Sequence, residues 1–151
     1  MRVVGIDLGE RRVGVAVSDS DGTLASPYDV IERSGDASRD HAEIARIVTE
    51  VGASTVVVGL PLSLDGSLGP AAREARTEAD RLAEVVGVPV ETHDERLTSV
   101  SAGRSLAQSG LRRAGRRQAR RGSVDKVAAA IMLQSWLDGH VRRGAPRTGD
   151  E

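Results

Sequence analysis

The hydrophobic pattern of the first thirty residues predicts three strands joined by short turns. Residues 2–8 read RVVGIDL and are rich in β-branched side chains, whereas residues 12–18 alternate valine with small residues. A period of two is typical of a strand with two different faces. A third strand is expected over 23–31, where Pro27 restricts the strand to a sheet edge or to a bulge.

After residue 35 the pattern changes to alternating helices and strands. Helices are predicted over 36–51 (with Ser38 or Asp40 as its cap), 70–86, 98–109 and 124–139, and strands over 54–60 and 88–95. The order βββαβαβαα predicts an α/β fold, a five-stranded mixed sheet in which an antiparallel meander precedes βαβαβ, flanked by helices. We expect a single domain over residues 1–140, followed by a disordered polar tail over 141–151.

An acidic residue interrupts the otherwise apolar first strand. Asp7 stands between Ile6 and Leu8, and a buried carboxylate is costly unless it is paired or binds a metal. Asp94 and Glu95 follow the fifth predicted strand. If the first strand is central, these three acids meet at the carboxyl edge of the sheet, where α/β proteins place their sites.

A fourth acid, Asp125, begins the last predicted helix, and the helix could bring it to the same edge. Converging carboxylates repel one another, and a divalent cation such as Mg²⁺ relieves that repulsion because it prefers hard oxygen ligands. Each acid also has a purely structural explanation. Asp7 could satisfy backbone amides, Asp94 and Glu95 could form a solvated loop cluster with Arg96, and Asp125 could interact favourably with the helix dipole.

Charge is concentrated in one decade of the chain. The formal net charge is only −1, yet residues 112–121 contain six arginines and no acid, which leaves 15 basic against 22 acidic residues elsewhere. The arginines form three pairs four residues apart: Arg112, Arg113, Arg116, Arg117, Arg120 and Arg121. Such a block predicts contact with the phosphates of a polyanion.

Composition excludes several other functions. The 151 residues contain no cysteine, so disulfides, thiol catalysis and cysteine-ligated metals are absent. Aromatic residues make up 1% of the chain, too few for a base-stacking platform, which favours recognition of a nucleic acid by backbone and shape. Neither a signal peptide nor a membrane-spanning run is visible, so we expect a soluble cytoplasmic protein without membrane contacts.

Four segments together resemble the YqgF/RuvX-like family of nucleases with a ribonuclease-H-like fold. They are GIDLGERRVGVAVSD (5–19), VVVGLPLSLDGS (56–67), DERLTS (94–99) and VDKVAAAIMLQSWL (124–137). The family is assigned to Holliday-junction resolution and to 5′-end maturation of the small-subunit rRNA precursor. The resemblance implies catalysis dependent on Mg²⁺ or Mn²⁺, with Asp7, Glu95 and Asp125 as acidic triad and Asp94 as a further candidate ligand.

Three further interpretations concern the loop after the fourth strand, the residue after Glu95 and the assembly. Gly59, Gly66 and Ser67 could let backbone amides approach a phosphate, or could simply form a loop. Arg96 could steady Glu95 or bind the scissile phosphate. Symmetric resolution of a junction would need two active sites and hence a homodimer.

Two other classes of function compete with the nuclease. The segment GIDLG also resembles the first phosphate-binding block of sugar kinases and actin, but those proteins close a second similar domain over the nucleotide, and 151 residues leave no room for one. A non-catalytic nucleic-acid-binding ribosome-assembly factor would use the arginines while the acids play structural roles. Measuring the rate of nucleic-acid cleavage by variants of the acids would distinguish this non-catalytic factor from a nuclease.

Overall fold

The fold is described from a computed structural model. It describes residues 1–62, 65–95 and 121–148, and for 121–125 and 141–148 it describes the backbone alone. The predicted helix over 98–109, Arg96 and most of the arginine block lie outside these residues. Within the described ranges, no helix is both long enough and apolar enough to cross a membrane.

The strands form one mixed sheet. Its strands are β1 (Val3–Leu8), β2 (Arg12–Ser18), β3 (Ala25–Glu32), β4 (Thr55–Leu60) and β5 (Val90–Asp94). Their spatial order is β3-β2-β1-β4-β5, with β1 antiparallel to β2 and parallel to β4. The α/β architecture predicted from the sequence is confirmed, and β1, which carries Asp7, is the central strand.

Pro27 occupies both of the places that its chemistry permits. It lies in β3, at one edge of the described sheet, and the register between β2 and β3 shifts beside it. Val15 pairs with Asp29 whereas Ala16 pairs with Pro27, so Tyr28 is the extra residue of a bulge. A proline cannot donate a hydrogen bond to the sheet, and an edge strand with a bulge accommodates it.

The two faces of the sheet are covered by different helices. Helices α1 (Ala37–Val51) and α2 (Pro70–Val86) share one hydrophobic cluster with the large aliphatic side chains of β1, β2 and β4. Helix α3 (Arg121–Thr148) covers the opposite face, where Ala129, Leu133 and Trp136 are buried. Because side chains alternate along a strand, consecutive residues of β1 face different helices.

The predicted cap of α1 and both predicted ends of the last helix are wrong. Asp36, rather than Ser38 or Asp40, caps α1, because its carboxylate accepts hydrogen bonds from the backbone of the first turn. Helix α3 begins at Arg121 and continues past Gly139 into the segment predicted to be a disordered tail, as far as Thr148. A single glycine inside a helix costs only about 1 kcal/mol relative to alanine, so it need not end the helix. The predicted domain limits stay a prediction.

Candidate active site

Asp7 lies near the carboxyl end of the central strand, on the face covered by α3. A Cβ atom placed on Gly5 would lie 2.7 Å from Cβ of Leu133, so Gly5 faces α3 directly. Asp7 follows two residues later and therefore points to the same face. It is half-buried. The apolar neighbours Ile6 and Leu8 belong to the opposite face, which explains how an acid fits into an apolar strand.

Glu95 reaches Asp7 across the intervening strand β4. It directly follows β5, in which His93 pairs with Gly59 of β4. Ile6 of β1 pairs with Val58 of β4, so the next residues, Asp7 and Gly59, are level with each other. Asp7 and His93 therefore lie on opposite sides of Gly59 in the sheet. A Cβ atom on Gly59 would lie 2.6 Å from Oε1 of Glu95, so the carboxylate passes over the glycine. The side chains of Asp7 and Glu95 are hydrogen-bonded to each other.

The contact between two carboxyl groups changes the protonation of Glu95. Burial is the largest cause that raises its pKa, followed by the negative charge of Asp7, the hydrogen bond that protonated Glu95 donates to Asp7, and the charge of Asp94. Together they raise the pKa of Glu95 to about 7. The pair therefore retains a proton near neutral pH, and a divalent cation bound by these carboxylates would displace it.

Asp94 contributes charge to this site, but among the described residues it does not complete a three-residue metal group with Asp7 and Glu95. It is the last residue of β5, paired in register with Leu60. Across 1–62, 65–95 and the described side chains of α3, no three acidic or histidine side chains converge as a metal site. The third acid proposed from the sequence, Asp125, is in α3, and its side chain lies outside the description. The roles of Asp94 and Asp125 as ligands remain predictions.

Helix α3 is held close to this edge of the sheet by two contacts. The lack of a side chain at Gly5 admits Leu133, and His93 Nε2 lies 3.2 Å from Ser135 Oγ. His93 is two residues before Glu95, so the hydrogen bond ties the end of β5 to α3. Asp125 lies two helical turns before Leu133 on the same helix.

The predicted nucleic-acid ligands lie mostly outside the described residues. These are Arg96, Arg112, Arg113, Arg116, Arg117 and Arg120. Arg121 is the first residue of α3, and only its backbone is described. Their contact with phosphate stays a prediction.

Sequence analysis missed an ion-paired cluster on the opposite face of the sheet. The Arg33 guanidinium donates two hydrogen bonds to Glu78 of α2, at 2.8 and 3.0 Å, and its Nε donates to the Gly9 carbonyl at 2.8 Å. His41 Nε2 lies 2.8 Å from the same Glu78 carboxylate. These contacts join the β1–β2 turn to α1 and α2. No local pattern marks them, because Glu78 is far in the chain from both Arg33 and His41.

Comparison with known proteins places the sequence in a family. The profile of RuvX, described as a Holliday junction resolvase, matches residues 1–139. The chain belongs to the RuvX family. A curated relative from Mycobacterium sp. (strain KMS), named "Putative pre-16S rRNA nuclease", is 49% identical over 138 residues, or 91% of this chain and 79% of the relative. A relative of the same name from Myxococcus xanthus is 44% identical, over 93% of this chain and 89% of its own.

Solved structures of low sequence identity confirm the ribonuclease-H-like fold of this RuvX-family chain. RuvC from T. thermophilus, solved in complex with a Holliday junction substrate, aligns with a TM-score of 0.63 and 21% identity, over 93% of this chain and 96% of its own. The Holliday junction resolvase of fowlpox virus aligns with a TM-score of 0.54 and 11% identity, over 92% and 99% of the two chains. At these identities the likeness concerns the fold alone.

Proposed function

We propose that this RuvX-family protein is a metal-dependent endonuclease that hydrolyses phosphodiester bonds in structured nucleic acid, with the 5′ end of the 16S rRNA precursor as its principal substrate. The family match and the names of the relatives support a nuclease. The observation that carries the metal-dependent part is the contact between Asp7 and Glu95 at the carboxyl edge of the sheet.

The chemistry of this pair fits a divalent cation such as Mg²⁺ or Mn²⁺. Both residues offer hard oxygen ligands, and burial together with the charge of Asp7 makes the ionised form of Glu95 unfavourable in the absence of a counter-charge. With a cation bound, both carboxylates could be ionised without that penalty. Asp125, on the helix that packs beside Asp7, is the proposed third ligand, and Asp94 strengthens the negative potential of the site.

Each residue then has a distinct task. Asp7 and Glu95 would hold the metal at the central strand of the sheet, and His93 anchors the β5 end to α3 through Ser135. When bound, the metal would supply Lewis-acid stabilisation of the phosphate and activation of the attacking water. Arg96, next to Glu95 in the chain, is proposed to bind the scissile phosphate.

The arginine block is proposed to supply the affinity for nucleic acid. If all six arginines contact duplex phosphates, the logarithm of the binding constant should fall with the logarithm of salt concentration with a slope of about −5. The few aromatic residues leave backbone and shape as the features recognised. A variant with the six arginines replaced by glutamine should lose most of that slope in a filter-binding titration, and an unchanged slope would assign the binding to another surface.

Cleavage assays on two substrates test the proposed activity. With Mg²⁺ or Mn²⁺, we expect the wild-type protein to cut a 16S rRNA precursor at its 5′ end and Asp7→Asn to lose the activity while still binding the RNA. Asp80→Asn, which removes an exposed acid from α2, is the matched control and should cleave at the wild-type rate. Equal activity of wild type and Asp7→Asn would contradict the metal site.

A synthetic four-way junction forms the second arm of the same experiment. The family description and the solved neighbours concern Holliday junction resolvases, which makes this substrate the strongest competitor. Preferential, symmetric cleavage of the junction would replace the rRNA precursor as the proposed substrate, and it would also require a dimer. Binding of both substrates without cleavage by the wild type would favour the non-catalytic assembly factor.

A further inference from the structure

Gly59 occupies a strand position where glycine is unfavourable. It is the fifth residue of β4, after three consecutive buried valines, and it pairs with His93 of β5. A glycine inside a strand loses more conformational freedom on folding and contributes no packing. Its backbone has no positive φ that would demand glycine. The sequence alone suggested that Gly59 could admit a phosphate, so what occupies the space above it is informative.

The space above Gly59 is filled by the side chain of Glu95. A Cβ atom built on Gly59 would have three atoms of Glu95 as its nearest neighbours, at 2.6 Å from Oε1, 3.1 Å from Cγ and 3.2 Å from Cδ. A real Cβ does not approach an oxygen as closely as 2.6 Å. The backbone of the neighbouring strands is farther away than these atoms, so an alanine would conflict first with Glu95 and not with the sheet.

We propose that Gly59 is a positioning residue of the proposed metal site: the bare backbone at this position lets the Glu95 side chain cross β4 and reach Asp7. This inference rests on the proposed function. A methyl group at Gly59 would leave the strand intact and push the flexible carboxylate away from Asp7, because the end of a glutamate side chain moves more easily than a strand. The separation of the two ligands, and with it the affinity for the metal, would change.

Titration calorimetry with Mn²⁺ tests the proposal in four proteins: wild type, Gly59→Ala, Glu95→Asp and the double variant. Gly59→Ala should bind Mn²⁺ at least about 10-fold more weakly than wild type, the lower end of the range for losing support of a ligand. Aspartate is one methylene shorter and withdraws from the new methyl group. In the Glu95→Asp background, the added Gly59→Ala should therefore weaken binding by less than about 2-fold, a clear departure from additivity.

A distortion of the strand would give a different result, since Gly59→Ala would then weaken Mn²⁺ binding equally in both backgrounds, and the proposal would be wrong. Gly139→Ala is the control, because a Cβ there meets no atom within 4 Å, and it should bind Mn²⁺ like wild type. If Gly59→Ala fails to fold while the double variant folds, the same contact is responsible. If both fail to fold, the strand itself requires the glycine and the proposal is overturned.

Failure of the proposed function can be recognised separately. If the wild-type protein binds no Mn²⁺, the metal site is wrong, whatever Gly59 does. Crystal structures of the metal-free wild type and Gly59→Ala then decide the positioning role. A shift of the Glu95 carboxylate by roughly 1 Å or more, the distance needed to restore normal contact, supports it. An unmoved carboxylate contradicts it.

Discussion

Two half-buried glutamates, Glu78 and Glu95, show how neighbours decide what a carboxylate does. Burial raises the pKa of both. At Glu78 the hydrogen bonds from Arg33 and His41 outweigh burial, so the net shift is downward. At Glu95 the charge of Asp7 adds to burial, and the pKa rises to about 7. One glutamate is therefore stabilised as an anion by protein cations, whereas the other is left to share a proton with a second acid.

The difference follows the two faces of the sheet. Glu78 lies on the face covered by α1 and α2, where large aliphatic side chains such as Ile44 and Leu82 fill the core. Glu95 lies on the α3 side, where Gly5 admits the side chain of Leu133 and Gly59 admits that of Glu95. The ion pairs of Glu78 help to hold α1 and α2 together. The two acids beside Gly59, Asp7 and Glu95, would instead provide a place for a cation. We interpret the first face as the structural support of the second.

The largest expected contrast is in catalysis. Glu95→Gln should lower the rate of Mg²⁺-dependent cleavage by at least about 100-fold, because a ligand of the proposed metal is lost. Glu78→Gln should change that rate only a few-fold, since Glu78 pairs with Arg33 and His41 on the opposite face of the sheet. Single-turnover cleavage of the rRNA precursor measures both. Equal losses in the two variants would remove the functional distinction between the faces.

Stability should show the reverse order. Glu78→Gln removes the charge that pairs with Arg33 and His41, and we expect it to lower the free energy of unfolding by about 1–2 kcal/mol. Glu95→Gln removes a repulsive charge from the metal-free protein and should leave stability unchanged or raise it at pH 8. Urea unfolding of the metal-free variants at pH 8 provides the comparison. A larger loss for Glu95→Gln would show that Glu95 also has a structural role.

The two glutamates should change the pH dependence of the free energy of unfolding in opposite directions. Glu95 has a raised pKa in the folded state, so its contribution to stability is complete below about pH 4.5 and is lost as pH rises to about 7. Glu78 has a lowered pKa, so its contribution is present above pH 4.5 and is lost as pH falls through its folded value. Between pH 5 and 7.5 the metal-free wild type should lose roughly 1–3 kcal/mol relative to Glu95→Gln. If the free energy of unfolding changed with pH in the same way for wild type and Glu95→Gln, the raised pKa of Glu95 would be contradicted.

The sequence predicted the fold well because its signals are local. The alternating valines of β2 and the apolar run of β4 are properties of short segments, and the structure confirms both strands. The end of α3 was predicted wrongly for the same reason. Gly139 resembles a helix end locally, but a Cβ there would meet open space and its φ is not positive, so nothing at this position interrupts the helix.

The candidate site could be predicted only in part. Asp7 is conspicuous because an acid interrupts an apolar strand. Glu95 is conspicuous because it follows β5, a strand parallel to β1 in the same sheet. Which of Asp94 and Glu95 meets Asp7 depends on how β5 ends and on the absence of a side chain at Gly59, neither of which a pattern reveals. The Arg33–Glu78–His41 cluster escaped prediction because Glu78 of α2 is distant in sequence from Arg33, which follows β3, and from His41 of α1.

Calorimetric titration of Mn²⁺ at pH 7.5 into wild type, Glu95→Gln and Glu78→Gln tests the central claim most directly. We predict that wild type and Glu78→Gln bind Mn²⁺ with similar affinity, that binding to wild type releases protons when repeated at pH 6, and that Glu95→Gln loses the binding. Equal affinity of Glu95→Gln and wild type would contradict the assignment of Asp7 and Glu95 as a metal site.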